Sequence, residues 1–377
     1  MKSRSAVSIF FALLGGAAVA VAGCSAGGGV VGDEDGVGGS GPSGPGAGNT
    51  TGTGFTGSGG STTGSGSGCT DPSCIGGNPQ GNCDTGLAID SADAMDGAKA
   101  IGICQAATAN SWGVLSAEWV RSDGQPLSGP LTRGKGILSH FGNVINPREG
   151  ASLLAISSGS ARNPGEPEFN DPAGDQKDSS TSHGTPPGYP KPSPSCGVQA
   201  GPAYDSAGLR LVIKAPSDAK SFSFNLNFYT YEFPNYICDI YNDFFVAMMS
   251  PPDPSLPDGN ISFDSQGNTI SVNAGFLQAC EAQTASNGAF FPCALGYGDI
   301  IGTGFDSQAG LPEFGIPAGS AATGWLETKA PITPGSEVTL HFAIWDSGDA
   351  VLDSTTLIDN FKFDVDETST GTTPVPQ

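Results

Sequence analysis

The 377-residue sequence predicts a mainly β fold: an antiparallel β-sandwich, jelly-roll-like, with one short helix and long loops. Three observations carry that expectation. Short runs alternate apolar and polar residues at a period of two, which is how a strand turns one face to a core. Clusters of Gly, Pro, Asn and Asp separate the runs and supply turn conformations. Only one segment combines helix-capping residues with helical charge placement.

The N-terminal residues carry no part of that fold. Lys2 and Arg4 form a basic n-region, residues 6–21 are apolar, and Val21-Ala22-Gly23-Cys24 closes the stretch with small residues before a cysteine. This order reads as a secretory signal. Its end resembles a bacterial lipobox, in which Cys24 is lipidated and becomes the mature N-terminus. The apolar stretch is short for a membrane span of about 20 residues. Ser25 and Ala26 follow, with no Asp that would hold the product at the inner membrane. Residues 1–23 are therefore expected to be a removed signal peptide, leaving an extracytoplasmic chain anchored by its lipid at the outer membrane. Loss of Lys2 and Arg4 takes the formal net charge from -22 to -24. Residues 24–68 are Gly-, Ser- and Thr-rich, with Phe55 their one aromatic side chain. They bury too little to offset the entropy of ordering and predict a disordered tether. Residues 69–367 are expected to form the folded domain, and 368–377 a disordered tail.

Nine cysteines suit an oxidising compartment. With Cys24 lipidated, Cys69, Cys74, Cys83, Cys104, Cys196, Cys238, Cys280 and Cys293 remain, an even set that reads as four disulfides. Sequence alone leaves the connectivity open. Pairing of neighbours, 69 with 74, 83 with 104, 196 with 238 and 280 with 293, is the simplest arrangement. There is no CxxC pair and no nearby His to suggest zinc. Between Cys83 and Cys104, Ser91 stands at an N-cap position, Asp93 and Asp96 come early and Lys99 later, as the helix macrodipole prefers.

From Ser111 onward the sequence reads as strands and turns. SWGVLSAEWV (111–120) stops at Ser122-Asp123-Gly124-Gln125-Pro126, and ASLLAIS (151–157) lies between Gly150 and Gly159. Residues 163–194 are rich in Pro, Gly, Asp and Ser without apolar period, and are expected to be disordered or a binding loop. Leu209, Leu211 and Ile213 alternate. Next, Phe222, Phe224, Leu226 and Phe228 face one way and Ser221, Ser223, Asn225 and Asn227 the other. After a carboxylate-bearing corner the chain resumes as Phe244-Phe245-Val246-Ala247-Met248. Ile261 and Phe263, then Ile270 and Val272, predict a hairpin turned by residues 264–268. Val338, Leu340, Phe342 and Ile344 alternate against Thr339, His341, Ala343 and Trp345. Leu357, Phe361, Phe363 and Val365 predict a last strand beyond an acidic loop.

Four segments taken together resemble one known family. They are GKGILSHFGNVINPREGASLLAISSGSAR (134–162), the stretch 203–249 with its Tyr231-Glu232-Phe233-Pro234 corner and Asn242-Asp243 pair, the turn Asp258-Gly259-Asn260-Ile261, and FAIWDSGDAVLDSTTLIDNFKF (342–363). The resemblance is to choice-of-anchor L domains of bacterial surface proteins, in the form carried by myxobacterial-type lipoproteins. It implies a secreted, surface-attached β-rich domain with no established catalytic activity and no catalytic residues to transfer.

The candidate chemistry is sparse. His140, His183 and His341 fall in no HExxH or similar spacing, and no GxSxG elbow accompanies them. Glu232 and Asp243 offer the two carboxylates a glycosidase needs, but nothing in sequence fixes their separation. Asp346, Asp349 and Asp353 share a short loop, and Asp359 stands in phase with Leu357 and Phe361 on an apolar face. With Glu232 and Asp243 these are candidate ligands of a structural Ca²⁺ ion, which takes hard oxygen donors from adjoining loops. The competing reading makes Asp346 and Asp349 solvated turn residues and satisfies Asp359 with backbone N–H groups. Tyr229, Tyr231, Phe233, Tyr236 and Tyr241 read either as a sugar-stacking platform or as rings packed on one another. The strongly negative charge argues against a nucleic-acid partner. The expectation is a lipid-anchored surface module without catalysis, attached to a membrane by its lipid and binding a polysaccharide or protein ligand. A structural envelope or matrix component and a carbohydrate-acting hydrolase are the other readings.

Overall fold

A computed structural model of the chain describes residues 69, 71–77, 82–173, 182–285, 288–307 and 319–376; the signal peptide, Cys24 and the tether read from the sequence lie outside the described residues. The alternating runs become strands β1 (Gly113–Val120), β2 (Lys135–Leu138), β3 (Leu153–Ser157), β4 (Ala203–Lys214), β5 (Ser221–Thr230) and β6 (Phe244–Ser250). Three two-residue strands follow, β7 (Ala279–Cys280), β8 (Gln283–Thr284) and β9 (Phe290–Phe291). The chain then forms β10 (Ala321–Ala322), β11 (Leu326–Pro331), β12 (Glu337–Ser347), β13 (Ser354–Asp364) and β14 (Gly371–Pro374). One sheet runs β1-β4-β12-β6 and the other β14-β11-β5-β13-β3-β2, with β10 joining β5 to β7. Neighbouring strands pair antiparallel throughout these sheets.

The sandwich core is the meeting of the two predicted apolar stripes. Phe222, Phe224, Leu226 and Phe228 of β5 pack in one cluster with Leu209, Leu211 and Ile213 of β4 and Leu340, Phe342 and Ile344 of β12. Phe224 and Phe342 meet edge to face across the sheets, with ring centroids 5.1 Å apart. Each fully buried Phe or Leu contributes about 2 kcal/mol relative to exposure, so this seam is the main source of stability.

The opposite face of β5 departs from the prediction of polar and solvated. Asn225 and Asn227 are buried, because a second apolar cluster lies on that side: Tyr229, Leu153, Ala155 and Leu357, with Phe141, Ile300 and Phe305 from covering loops. The amides survive there by being bonded. Asn227 donates to the Tyr229 hydroxyl at 3.1 Å, and Asn225 accepts from the Asn360 side chain at 2.8 Å. A bulge in β13 between Asp359 and Lys362 also breaks the expected phase. Leu357 lies in the outer cluster and Phe361 in the sandwich core. A bulge turns successive side chains to the other face.

Four further expectations are corrected or narrowed. The helix is Ala94–Ala100, capped by Asp93, which accepts from the Met95 N–H at 2.9 Å; Ser91 instead bonds Asp96 at 2.7 Å. The loop 163–194, expected to be disordered or a binding loop, is ordered in its described parts, 163–173 and 182–194. Asn163 and Tyr189 are buried, and Tyr189 packs on Phe244 and Trp345. The hairpin of residues 261–272 is one bridge, Phe263 to Thr269, rather than a ladder. Residues 368–377 are not a plain disordered tail, since β14 pairs with β11 at the sheet edge. All four disulfides join neighbouring cysteines: Cys69–Cys74, Cys83–Cys104, Cys196–Cys238 and Cys280–Cys293.

Candidate functional site

Topology gathers the acids. β5 lies in one sheet and β6 in the other, so residues 231–243 cross between them; β12 and β13 are likewise in different sheets and residues 348–353 cross back. Antiparallel pairing of Trp345 with Phe244 and of Ser354 with Thr230 places both crossovers at the same end of the sandwich. Glu232 and Asp243 stand on the first crossover. Asp346 closes β12 just past a bulge, and Asp353 immediately precedes β13.

One carboxylate oxygen from each of Glu232, Asp243 and Asp346 lies within 4.8 Å of the other two. Their relative exposures are 1%, 0% and 0%. The Asp243 N–H donates to Glu232 Oε2 at 3.2 Å, and the Ser347 N–H donates to Asp243 Oδ1 at 2.9 Å. The Ser354 hydroxyl and the Asp346 carboxyl both lie against the Asp243 carboxyl. No N–H or hydroxyl reaches either oxygen of Asp346. Burial pushes Asp243 up to about 8. Burial, then the charge of Asp243, pushes Glu232 well above the ordinary carboxylate range. Asp346 is raised the same way, by burial and then by Asp243, Glu232, Asp353 and Asp349.

Asp353 is buried and fits only because its neighbour is Gly159, where any side chain would collide with its carboxyl. Asp349 sits on the exposed rim and accepts from the Val351 N–H at 3.1 Å. Asp346 is thus no solvated turn residue, whereas Asp349 is one. Asp359, grouped with these in sequence, is elsewhere. Its Oδ2 accepts from the Arg148 N–H at 2.5 Å and the Glu149 N–H at 3.2 Å, and its Oδ1 from the Asn360 N–H at 2.5 Å. Burial still outweighs those donors and lifts it to about 7.

The remaining candidates separate. Cys69, Cys74 and Asp218 also lie close together, but both sulfurs are committed to a disulfide. His341 donates its Nε2–H to the Arg121 carbonyl at 3.1 Å, and burial lowers it to about 4. His183 lies near the Arg121 guanidinium, and His140 bonds Ser139. Of the aromatic set, Tyr229, Tyr231 and Phe233 are core residues. Only Tyr236 and Tyr241 reach the surface, edge to face at 5.4 Å, beside Ile240, which is 45% exposed. The Cys196–Cys238 bridge pins this loop, and Tyr241 packs over Gly348 of the second crossover. Sequence reading missed Gly159 and Ser354; the SSG run before residue 160 and the Asp353-Ser354 step were their only signals.

Comparison of the chain with protein-family models, with curated proteins and with solved structures finds no match. Among the described residues no helix is long and apolar enough to cross a membrane.

Proposed function

We propose that this chain is an exported, lipid-anchored surface protein whose β-sandwich is a non-catalytic binding module, presenting the loop 231–243 to a polysaccharide or protein ligand. The observation that carries the reading is the Tyr236–Ile240–Tyr241 patch, an apolar and aromatic surface on a loop held by a disulfide. Aromatic rings with an apolar body and a polar tip suit sugar and protein surfaces alike, and a pinned loop loses little entropy on binding. Four disulfides support export to an oxidising compartment. Burial of Glu232 and Asp243 leaves neither carboxyl open to a sugar, which favours binding over hydrolysis. The resemblance to choice-of-anchor L domains points the same way.

The test is binding of the purified mature chain to envelope and matrix polysaccharides and proteins. Tyr236→Ala and Tyr241→Ala should each weaken capture by about tenfold, the loss of a good aromatic contact. Val144→Ala, an exposed side chain at a separate shallow depression with Arg148 and Asp299, should not. Unchanged capture by both Tyr variants, or no capture by the wild type, would leave a structural envelope role as the better reading. Labelled fatty acid should enter the wild type and not Cys24→Ala.

A further inference from the structure

We infer that Glu232, Asp243 and Asp346 form a buried binding site for one divalent cation of calcium type, which ties the two crossovers of the sandwich together. Acidic residues cluster on many proteins without a ligand, and it is Asp346 that sets this group apart. Its carboxyl has no exposed surface, faces the Asp243 carboxyl and meets no N–H or hydroxyl at either oxygen. A buried carboxylate without donors costs several kcal/mol. No Lys or Arg forms an ion pair with any of the three among the described residues. Facing carboxyls so placed are held together by shared protons or by a hard cation.

Geometry and donor type favour the cation. Oxygens bound to one Ca²⁺ ion at 2.3–2.6 Å lie at most about 5.2 Å apart, and these lie within 4.8 Å. All-oxygen donors exclude a soft-metal preference. Mg²⁺ keeps several waters and demands a near-ideal octahedron, whereas Ca²⁺ accepts an irregular cage of carboxylates. Asp353, beside Gly159, adds a further buried negative charge that acts on Asp346. Protons compete for the same oxygens, so affinity for the ion rises with pH. The site lies at the base of the loop that carries the half-buried Tyr236 and Tyr241 but stands independently of any ligand that loop binds.

The experiment uses the mature chain, stripped with EDTA and exchanged into metal-free buffer at pH 7.5. Calorimetric titration with CaCl₂ should give one site per chain, and Ca²⁺ should raise the melting temperature above its value in EDTA. Tb³⁺ should bind with emission sensitised by nearby aromatic residues, Trp345 among them, and Ca²⁺ should quench that emission by displacement. Asp346→Asn should weaken Ca²⁺ binding at least tenfold, about 1.4 kcal/mol. Asp349→Asn, on the exposed rim, should change it by less than about threefold. Glu232→Gln tests the same site should Asp346→Asn fail to fold. The absence of heat, of Tb³⁺ emission and of a melting shift in the wild type overturns the inference. Binding unaltered in the folded Asp346 or Glu232 variant overturns the location, and displacement by Mg²⁺ as readily as by Ca²⁺ overturns the calcium-type assignment.

Discussion

Asp346 and Asp359 are the same residue type on consecutive strands, and both are wholly buried. They are nevertheless opposites. Three backbone N–H groups, from Arg148, Glu149 and Asn360, converge on the Asp359 carboxyl. Asp346 receives none and faces another carboxyl instead. The contrast teaches that burial does not make a carboxylate a ligand. What matters is whether the protein has already supplied its donors. Asp359 is a structural pin joining the 147–149 turn to the β13 bulge; Asp346 is a residue waiting on something the chain does not provide.

The largest expected effect lies on the satisfied side. Asp359→Ala removes the acceptor of the part-buried N–H groups of residues 148 and 149 and should destabilise the protein by about 3 kcal/mol, equally in Ca²⁺ and in EDTA. A cost below about 1 kcal/mol in urea melts would show that those donors find other partners. Gly159→Ala comes next. The new methyl collides with Asp353, so stability should fall by about 2 kcal/mol and Ca²⁺ affinity should fall with it. Loss of stability with unchanged affinity would remove Asp353 from the neighbourhood of the ion.

The smallest effect per step is in pH, and its sign is fixed. Asp243 and Asp359 titrate at about 8 and about 7 in the fold, against 3.8 ordinarily. The folded state therefore holds protons that the unfolded chain has released, and the associated stability, full below about pH 4, is lost as pH rises through 7 to 8. In EDTA the melt should weaken between pH 5 and pH 8 by about 1.4 kcal/mol per pH unit for each carboxyl within its window. Ca²⁺ should restore the cluster's share and leave that of Asp359. His341 acts in the opposite direction. Its fold value of about 4 lies below the ordinary 6.5, so its stability is present above pH 6.5 and lost as pH falls through 4. A flat EDTA profile from pH 5 to 8 would contradict both carboxyl assignments.

Much of the architecture was legible in the chain. Period-two runs at 222–228 and 338–344 identify the two facing stripes, because alternation is a local property of strand geometry. The four disulfides likewise join the nearest cysteines along the chain. The second apolar layer was not legible. Asn225 and Asn227 look solvated in a polar alternation, and only loops distant in sequence cover them. The shared phase of Asp359 and Phe361 fails for a related reason, since a bulge between 359 and 362 leaves no strong mark on the residues and turns Phe361 to the other face, while backbone N–H groups satisfy Asp359 as the competing reading expects.

The candidate site divides the same way. The sequence by itself determined that Glu232 and Asp243 share one corner between two strand runs and that Asp346, Asp349 and Asp353 lie close together after another run, because those are neighbours along the chain. Only the tertiary structure decided that the crossovers meet, that Asp349 stays on the rim and that Asp359 belongs elsewhere. It decided, too, that Asp346 is left without a donor. Strand pairing across two sheets sets those distances, and burial with its hydrogen bonds is a sum over residues far apart in the chain, which no local pattern records.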